Sequence, residues 1–336
     1  MGSSAGGVVC DILCGMENKG TSYKCTEKDA GLLLKEVLRQ RIGLSSRFMK
    51  SLKAGGGIFL NGEHAGVRHR VAAGDVVSVV YPEETSYFEP QDIPLDVVFE
   101  DDDLLVVNKQ AGLIVHPTHN FLDGTLANAL AFRMQQQGTV YKPRFVNRLD
   151  MYTSGLMIVA KNSHCQDFLS KQMAENKVVK KYLAIVHGVV EEAGTVDLPI
   201  DKDPNHKARR MVTEDGYPSV THYKPLKVFE DPAVEEALDT GHAGIKGYSL
   251  VELKLDTGRT HQIRVHMTHI GHPLVGDELY AQLYGYSVDP EWMPRQALHA
   301  AHLEFIHPSS GSLAAFDAPL PSDMQSCLEK LGNAKL

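Results

Sequence analysis

The sequence lacks several patterns that would place it in common functional classes. Its five cysteines include no Cys-x-x-Cys pair, which argues against a zinc finger and predicts reduced thiols. It contains no Gly-x-x-x-x-Gly-Lys loop of the kind that holds nucleotide phosphates. Its apolar runs are only as long as strands, and its first residues lack the pattern of a secretory signal. These absences predict a cytoplasmic protein with no membrane span, no metal and no nucleotide cofactor.

The chain of 336 residues is longer than one compact core usually supports, so we expect one large and one small domain. Residues 1–25 are rich in Gly and Ser, show no hydrophobic period and predict a disordered leader. Residues 82–94 are acidic and interrupted by prolines, which indicates a linker. The folded units are then 26–81 and 95–330, with a polar insertion loop predicted at 231–247.

The small unit is predicted to combine two helices with short strands. Apolar residues recur at helical spacing between 32 and 38, and a second helix is expected after Ser45. Strand-like runs follow at 58–60 and 76–79, and Asn61-Gly62 is typical of a tight turn. In the large unit, many strand-like runs with only a few helices predict an α+β domain around a large sheet.

The net charge of −8 is unfavourable for binding a polyanion, but the charge is unevenly distributed. Residues 31–80 include eight Lys and Arg residues and three acidic residues, an excess of five positive charges. A solvated helix surface would show the same composition. The local excess nevertheless favours RNA or another polyanion as a partner.

Three strings in this basic segment resemble the alpha-L motif, a small RNA-binding fold named after a ribosomal protein. They are Leu44-Ser45-Ser46-Arg47, residues 53–62 and residues 71–77. The resemblance implies an α+β RNA-binding domain. It also implies that Arg47, Lys50 and Lys53, on the second helix, face RNA phosphates.

The most specific string in the large unit is Arg148-Leu149-Asp150-Met151-Tyr152-Thr153-Ser154-Gly155-Leu156. Taken alone, an aspartate before such a turn most often bonds nearby backbone amides. The string resembles the signature of the RluA-type RNA pseudouridine synthases, which implies that Asp150 is the catalytic carboxylate. The same match implies that Arg148 fills the space left by a flipped-out uridine. Asn147 stands where the family usually has histidine, and because asparagine cannot carry a positive charge we expect altered RNA contacts there.

Two further strings, Lys180–Gly188 and Thr257–Pro273, extend this resemblance over residues 95 to about 308. In the first, Tyr182 would ordinarily be a core residue, but the family match implies that it packs against the target base. In the second, Thr260 is the predicted N-cap of a helix that carries Arg264 in its first turn. The resemblance implies that Arg264 pairs with Asp150, which would orient this carboxylate and keep it ionised.

Four histidines, at positions 261, 266, 269 and 272, fall close together and raise the possibility of a metal site. Only His266 and His269 share a helix face, and no paired Cys or Glu-x-x-His pattern accompanies them. We therefore predict no metal, and His261 is a candidate for RNA binding.

The resemblance implies a pseudouridine synthase domain with a large mixed, mainly antiparallel sheet and a central cleft. It implies a monomeric isomerase that acts on uridines of large-subunit ribosomal RNA, with transfer RNA as the alternative substrate. Two other classes stay open: a noncatalytic RNA-binding or ribosome-assembly protein, and a glycoside hydrolase with a carboxylate pair. The presence of Asp150, Tyr182 and Arg264 argues against the first, and the second leaves the basic small unit unexplained.

Overall fold

The computed structural model describes residues 20–81, 88–118, 121–229, 247–284 and 292–333. Residues 1–19 of the predicted leader, 82–87 of the predicted linker and 231–246 of the predicted insertion loop lie outside the described residues. Within the described ranges, no helix combines the length and the apolar character needed to cross a membrane.

The small domain consists of a four-stranded antiparallel sheet packed against two helices. Its strands are β1 (Gly20–Lys24), β2 (Ile58–Leu60), β3 (Glu63–His64) and β4 (Val76–Val80), in the order β1-β4-β2-β3. A 3-10 turn (Glu27–Asp29) precedes the helices α1 (Leu34–Gln40) and α2 (Ser46–Ala54). Leu38, Leu52 and Val77 share one buried core, so the predicted combination of two helices with short strands is confirmed.

Strand β1 corrects the predicted start of this domain. Gly20–Lys24 pairs along its whole length with β4, so these residues belong to the fold and not to the leader predicted at 1–25. The sequence did not predict this strand because Gly-Thr-Ser-Tyr-Lys has no alternation of apolar residues. Its position is determined by pairing with β4. The turn predicted at Asn61-Gly62 is confirmed, since both residues have positive φ angles, 53° and 86°.

The large domain is built on a ten-stranded sheet. Its strands are β5 (Asp96–Glu100), β6 (Leu104–Lys109), β7 (Arg144–Phe145), β8 (Ser154–Ala160), β9 (Val179–His187), β10 (Gly194–Asp197), β13 (Val220–Phe229), β14 (Tyr248–Leu255), β15 (Leu298–Ile306) and β16 (Leu313–Asp317). The main order is β10-β13-β14-β9-β15-β8-β6-β5, with β7 on β8 and β16 on β15. Among the described strands only β8 and β15 pair in parallel, which confirms the large mixed, mainly antiparallel sheet. A separate hairpin joins β11 (Ile200–Lys202) to β12 (Arg210–Val212).

Helices cover both faces of this sheet. They are α3 (Leu126–Gln137), α4 (Ser163–Ala174), α5 (Gln262–His269), α6 (Glu278–Ala281) and α7 (Ser322–Asn333). A 3-10 turn (Gln282–Tyr284) follows α6. Neighbouring residues on β6 point to opposite faces: Val107 shares a core with Leu130 of α3 and Met267 of α5, whereas Val106 shares one with Leu169 of α4. Each fully buried aliphatic side chain contributes about 1.5–3 kcal/mol.

Strand β15 lies between β9, which carries Tyr182, and β8, which directly follows the segment that contains Asp150. Ala300 is in register with Tyr182 on β9 and with Gly155 on β8. Gly155 has a φ of 115°, and a Cβ at this position would overlap the backbone of Ala300. Only glycine therefore permits this close approach of two strands.

Gly155→Ala is expected to destabilise the protein by at least about 2 kcal/mol, because it combines an unfavourable φ with a clash against backbone. Urea-induced unfolding measures the effect. The control is Gly258→Ala, since a Cβ at Gly258 meets no atom within 4 Å, and it should change stability by less than about 0.5 kcal/mol. Equal stabilities of the two variants would contradict this explanation of Gly155.

Candidate active site

Asp150 lies in the loop between β7 and β8 and lines a cleft of about 660 Å³. Its carboxylate is 24% exposed and faces Arg264 and His261 of the segment that opens α5. Within the described part of the chain, no hydrogen bond joins this carboxylate to a nearby backbone amide. The interpretation of Asp150 as an ordinary turn carboxylate is therefore not supported.

Two buried cations hold the backbone that follows Asp150. The Lys109 ammonium donates to the carbonyl oxygens of Gln110, Leu113 and Met151 at 2.9, 3.0 and 3.0 Å. Arg295 donates from Nη1 to the carbonyl oxygen of Tyr152 at 3.0 Å. Burial, together with the charge of Arg295, lowers the pKa of Lys109 to about 7, and the charge of Asp150 opposes this shift. Two successive carbonyls after Asp150 are thus fixed from inside the protein.

Arg264 connects Asp150 to a second, deeply buried carboxylate. Its Nε and Nη2 donate to the two oxygens of Asp277 at 2.7 and 2.8 Å, and its Nη1 donates to Asp150 Oδ2 at 3.2 Å. The guanidinium also lies 4.9 Å from the centre of the Tyr280 ring. Burial acts to lower the pKa of Arg264, but the hydrogen bonds and charge of Asp277 outweigh it and raise the pKa above its ordinary value. Arg264 is therefore a permanent cation, oriented by Asp277 so that its remaining edge meets Asp150.

His261 stands beside Asp150 in a backbone conformation that is uncommon for histidine, with φ 60° and ψ 18°. It occupies the N-cap position of α5, so the predicted N-cap, Thr260, is wrong by one residue. The Tyr280 hydroxyl accepts from the Arg210 backbone N–H and lies 2.9 Å from His261 Nδ1. It can therefore donate to Nδ1, which leaves the ring proton on Nε2.

His261 Nε2 is 3.7 Å from Asp150 Oδ2, which is longer than a hydrogen bond. Burial lowers the pKa of His261 to about 4, although the charge of Asp150 acts in the opposite direction. The imidazole is consequently neutral at neutral pH, and Arg264 is the cation paired with Asp150.

Tyr182 lines the same cleft from strand β9 and is 7% exposed. Burial raises the pKa of its hydroxyl above the ordinary value, and the charge of Asp150 adds to this effect. Nothing in the described ranges hydrogen-bonds to this hydroxyl. The ring offers a flat apolar surface, and the hydroxyl is available to a molecule in the cleft.

The predicted RNA-binding residues do not all lie at this cleft. Arg148 is exposed and lines it, and Asn147 lines it while its amide bonds the backbone of β8 at Leu156 and Ile158. Lys50 and Lys53 are exposed on α2. The side chain of Arg47 lies outside the described residues.

A groove of about 950 Å³ connects α2 to the cleft that contains Asp150. Phe48 and Ser51 line one side of it, and Arg148, Asp150 and His261 line the end that it shares with the cleft. Phe48 also stacks on His164 of α4, with the ring centres 6.5 Å apart. The small domain therefore contributes a wall to a continuous channel that leads to Asp150.

The four clustered histidines do not converge on one point. His266 forms hydrogen bonds through Nδ1 with the Thr221 hydroxyl and through Nε2 with the Leu198 carbonyl oxygen. His272 forms a hydrogen bond with the carbonyl oxygen of His187. In the described ranges, the residues that could jointly ligate a metal are Asp101, Asp103 and His307, on another part of the large domain. There two backbone N–H groups donate to Asp101 Oδ1, the Asn162 amide donates to Asp103 Oδ1, and His307 Nε2 lies 2.8 Å from Asp101 Oδ2.

The sequence predicted that Asp150, Tyr182 and Arg264 lie close together, and all three line the same cleft. It did not indicate the residues that hold them in position. Lys109, Asp277 and Arg295 belong to none of the strings from which the site residues were predicted. Buried charges of this kind carry no hydrophobic period and no fixed spacing to their partners. For Asp277 the local sequence offers only a short apolar run, Leu274-Val275, before the acidic pair Asp277-Glu278, which does not tell a buried carboxylate from an exposed one.

Comparison with known proteins gives a consistent set of similarities. The family described as RNA pseudouridylate synthase matches residues 103–269. Ribosomal large subunit pseudouridine synthase D of Xanthomonas campestris is 39% identical, with 85% of this chain and 84% of the relative covered. An RNA pseudouridine synthase of Bacillus subtilis, YjbO, described as uncharacterized, is 38% identical over 86% of this chain and 95% of its own. The structure of human RNA pseudouridylate synthase domain containing 1 is 26% identical, with a TM-score of 0.53, and covers 72% of this chain and 96% of its own.

Proposed function

Because the chain belongs to the RNA pseudouridylate synthase family, we propose that it converts selected uridines of large-subunit ribosomal RNA, with Asp150 as its catalytic carboxylate. The enzyme is an isomerase that turns uridine in RNA into pseudouridine. The bond between N1 of uracil and C1′ of ribose breaks, a bond from C5 to C1′ forms, N1 gains a proton and C5 loses one. Substrate and product have the same atoms, so the reaction consumes no other compound.

The observation that carries the assignment of Asp150 is its pairing with Arg264 in a cleft that Tyr182 also lines. Asp277 orients Arg264, so that the Asp150 carboxylate faces a fixed positive charge. An ionised, oriented carboxylate can attack ribose, attack the base or accept a proton from ribose. Each of the three routes to base release begins from this group.

The target uridine must leave its base stack to reach Asp150, because the atoms that react are covered inside a helix. Flipping the nucleotide out of the stack costs a few kcal/mol. Tyr182 can then pack on the detached uracil and hold it while it turns, with its hydroxyl free to bond the base. Arg148, exposed at the edge of the cleft, is the proposed replacement for the flipped base.

The proposed substrate rests on the named relatives together with the small domain. The Xanthomonas campestris relative is named for the large ribosomal subunit. In this chain α2 carries the exposed Lys50 and Lys53, and its Phe48 and Ser51 line the groove that leads to Asp150, an arrangement suited to a structured RNA. We also propose that the enzyme acts as a cytoplasmic monomer, which cell fractionation and size-exclusion chromatography would test.

The test is mass-spectrometric mapping of pseudouridine in ribosomal and transfer RNA from cells that lack this protein. The cells are complemented with wild type or with Asp150→Asn. Loss of one site in large-subunit RNA, restored only by wild type, is the expected result. A lost site in transfer RNA would correct the substrate, and loss of no site would support the noncatalytic RNA-binding alternative.

Replacing Arg47, Lys50 and Lys53 together by alanine is expected to weaken RNA binding and to reduce its salt dependence. Three lost phosphate contacts lower the slope of log affinity against log salt by about 2. Filter binding at several salt concentrations measures this slope. The control removes the exposed residues Lys24, Lys28 and Lys35 of the same domain. If both triple variants bind RNA equally well, the RNA surface of the small domain lies elsewhere.

A further inference from the structure

Lys180 is a half-buried cation inside the catalytic cleft that the mechanism above does not use. It precedes Tyr182 by two residues on β9, so both side chains project from the same face of the strand, about 7 Å apart. Both line the cleft together with Asp150. Exposure increases from the buried Tyr182 to the half-buried Lys180 and on to Asn176, so the cleft opens to solvent in this direction.

The ammonium of Lys180 has no hydrogen bond and no ion pair among the described residues. Burial lowers its pKa, and the nearby charge of Asp256 opposes this effect without forming a pair. The Asp256 carboxylate is instead 2.9 Å from His222 Nε2. Among the other cations that line the cleft, Arg264 bonds two carboxylates and Arg259 donates to the Pro218 carbonyl oxygen, whereas Arg148 is exposed to solvent.

A partly desolvated cation that forms no ion pair is unfavourable for the free protein, and such groups mark places where a ligand supplies a paired charge. RNA supplies one negative charge for every nucleotide. A uridine that packs its base against Tyr182 must enter the cleft base first. Its phosphates, at the far side of the ribose, then remain towards the opening, where Lys180 lies.

We propose that Lys180 binds a phosphate group next to the target uridine and thereby holds the flipped nucleotide in the cleft. This inference rests on the proposed function, because it requires a uridine bound at Tyr182. Lys180 is a substrate-binding residue in this scheme, and Asp150 and Arg264 keep their roles. The contact forms only after flipping, so it favours the extruded nucleotide over the stacked one.

The test compares Lys180→Met with Lys181→Met, using a large-subunit RNA fragment that wild type modifies. Lys181 is the matched control because it is adjacent, points to the other face of the sheet and lies 3.4 Å from Glu252. Lys180→Met is expected to raise the Kd for this RNA about tenfold. It should lower the salt slope by about 0.7 and leave kcat at saturating RNA within about twofold. Lys181→Met should match wild type in all three measurements.

A second measurement tests whether the contact is to a phosphate, and it changes the RNA instead of the protein. The same RNA fragment is synthesised with a neutral methylphosphonate at either linkage of the target uridine. One of the two is expected to weaken binding by wild type about tenfold and to cause no further loss with Lys180→Met. An equal penalty in both proteins would overturn the proposal, as would normal binding by Lys180→Met with slow turnover, which would indicate a part in proton transfer.

These outcomes are separable from a failure of the proposed function. Formation of pseudouridine by wild type in the unmodified fragment tests that function directly. If wild type forms no pseudouridine in any RNA, the proposed function fails before Lys180 is examined. If wild type is active and Lys180→Met binds like Lys181→Met, only the phosphate contact is wrong.

Discussion

Asp150→Asn should lower turnover by about 10⁴-fold or more and leave RNA affinity within about threefold of wild type. Asparagine keeps the size of aspartate and can still accept a hydrogen bond from Arg264, so the cleft keeps its shape. It provides neither a nucleophilic carboxylate nor a base, so none of the three routes to base release can begin. Single-turnover formation of pseudouridine and equilibrium RNA binding, measured on the same preparation, separate the two effects.

The control for Asp150→Asn is a carboxylate of similar exposure outside the cleft. Asp256→Asn is unsuitable because Asp256 lines the cleft, whereas Asp201 lies on β11, away from it. Asp201→Asn should behave like wild type. An Asp150→Asn enzyme with more than about a hundredth of normal turnover would exclude the carboxylate as the catalytic group.

Arg264→Met should destabilise the protein by about 3–5 kcal/mol and also abolish turnover. The Asp277 side chain is 1% exposed and would lose both hydrogen bonds and its counter-charge. Asp150 would lose the cation that orients it. Urea-induced unfolding followed by circular dichroism gives the stability, and single-turnover kinetics give the loss of activity.

The double variant Arg264→Met with Asp277→Asn separates the two roles of Arg264. Removing the orphaned charge of Asp277 should recover a large part of the lost stability, because the cost comes mainly from an uncompensated buried carboxylate. Activity should not return, since Asp150 still lacks its partner. A double variant as active as wild type would show that Arg264 acts only on stability.

The sequence was sufficient to predict those features that local patterns encode. The start of α2 after Ser45, whose side chain accepts from the Phe48 backbone N–H, and the turn at Asn61-Gly62 follow from residues close in sequence. The grouping of Asp150, Tyr182 and Arg264 followed from resemblance to a family, because no periodicity relates three strings so far apart. Their presence in one cleft agrees with that expectation, and their catalytic roles stay predictions.

The features that escaped prediction depend on tertiary contacts. His261 takes a left-handed conformation at the start of α5, where Thr260 had the better local propensity. The bonds from Lys109 to Met151 and from Arg295 to Tyr152 join segments that are distant in sequence. Propensity and spacing carry no information about such pairs, whose positions are set by the order of the strands.

The position of β15 also determines how the site responds to thermal motion. Tyr182 of β9 and Gly155, near the start of β8 after the Asp150 loop, are both paired to the same residue of this central strand, Ala300. Backbone amides of central strands exchange with solvent mainly through global opening, whereas loops and small peripheral units open locally. Tyr182 and the start of β8 thus belong to the most cooperative part of the molecule, to which the bonds from Lys109 and Arg295 tie the Asp150 loop. We expect adaptation to differently shaped RNAs to fall to the small domain and the surface loops.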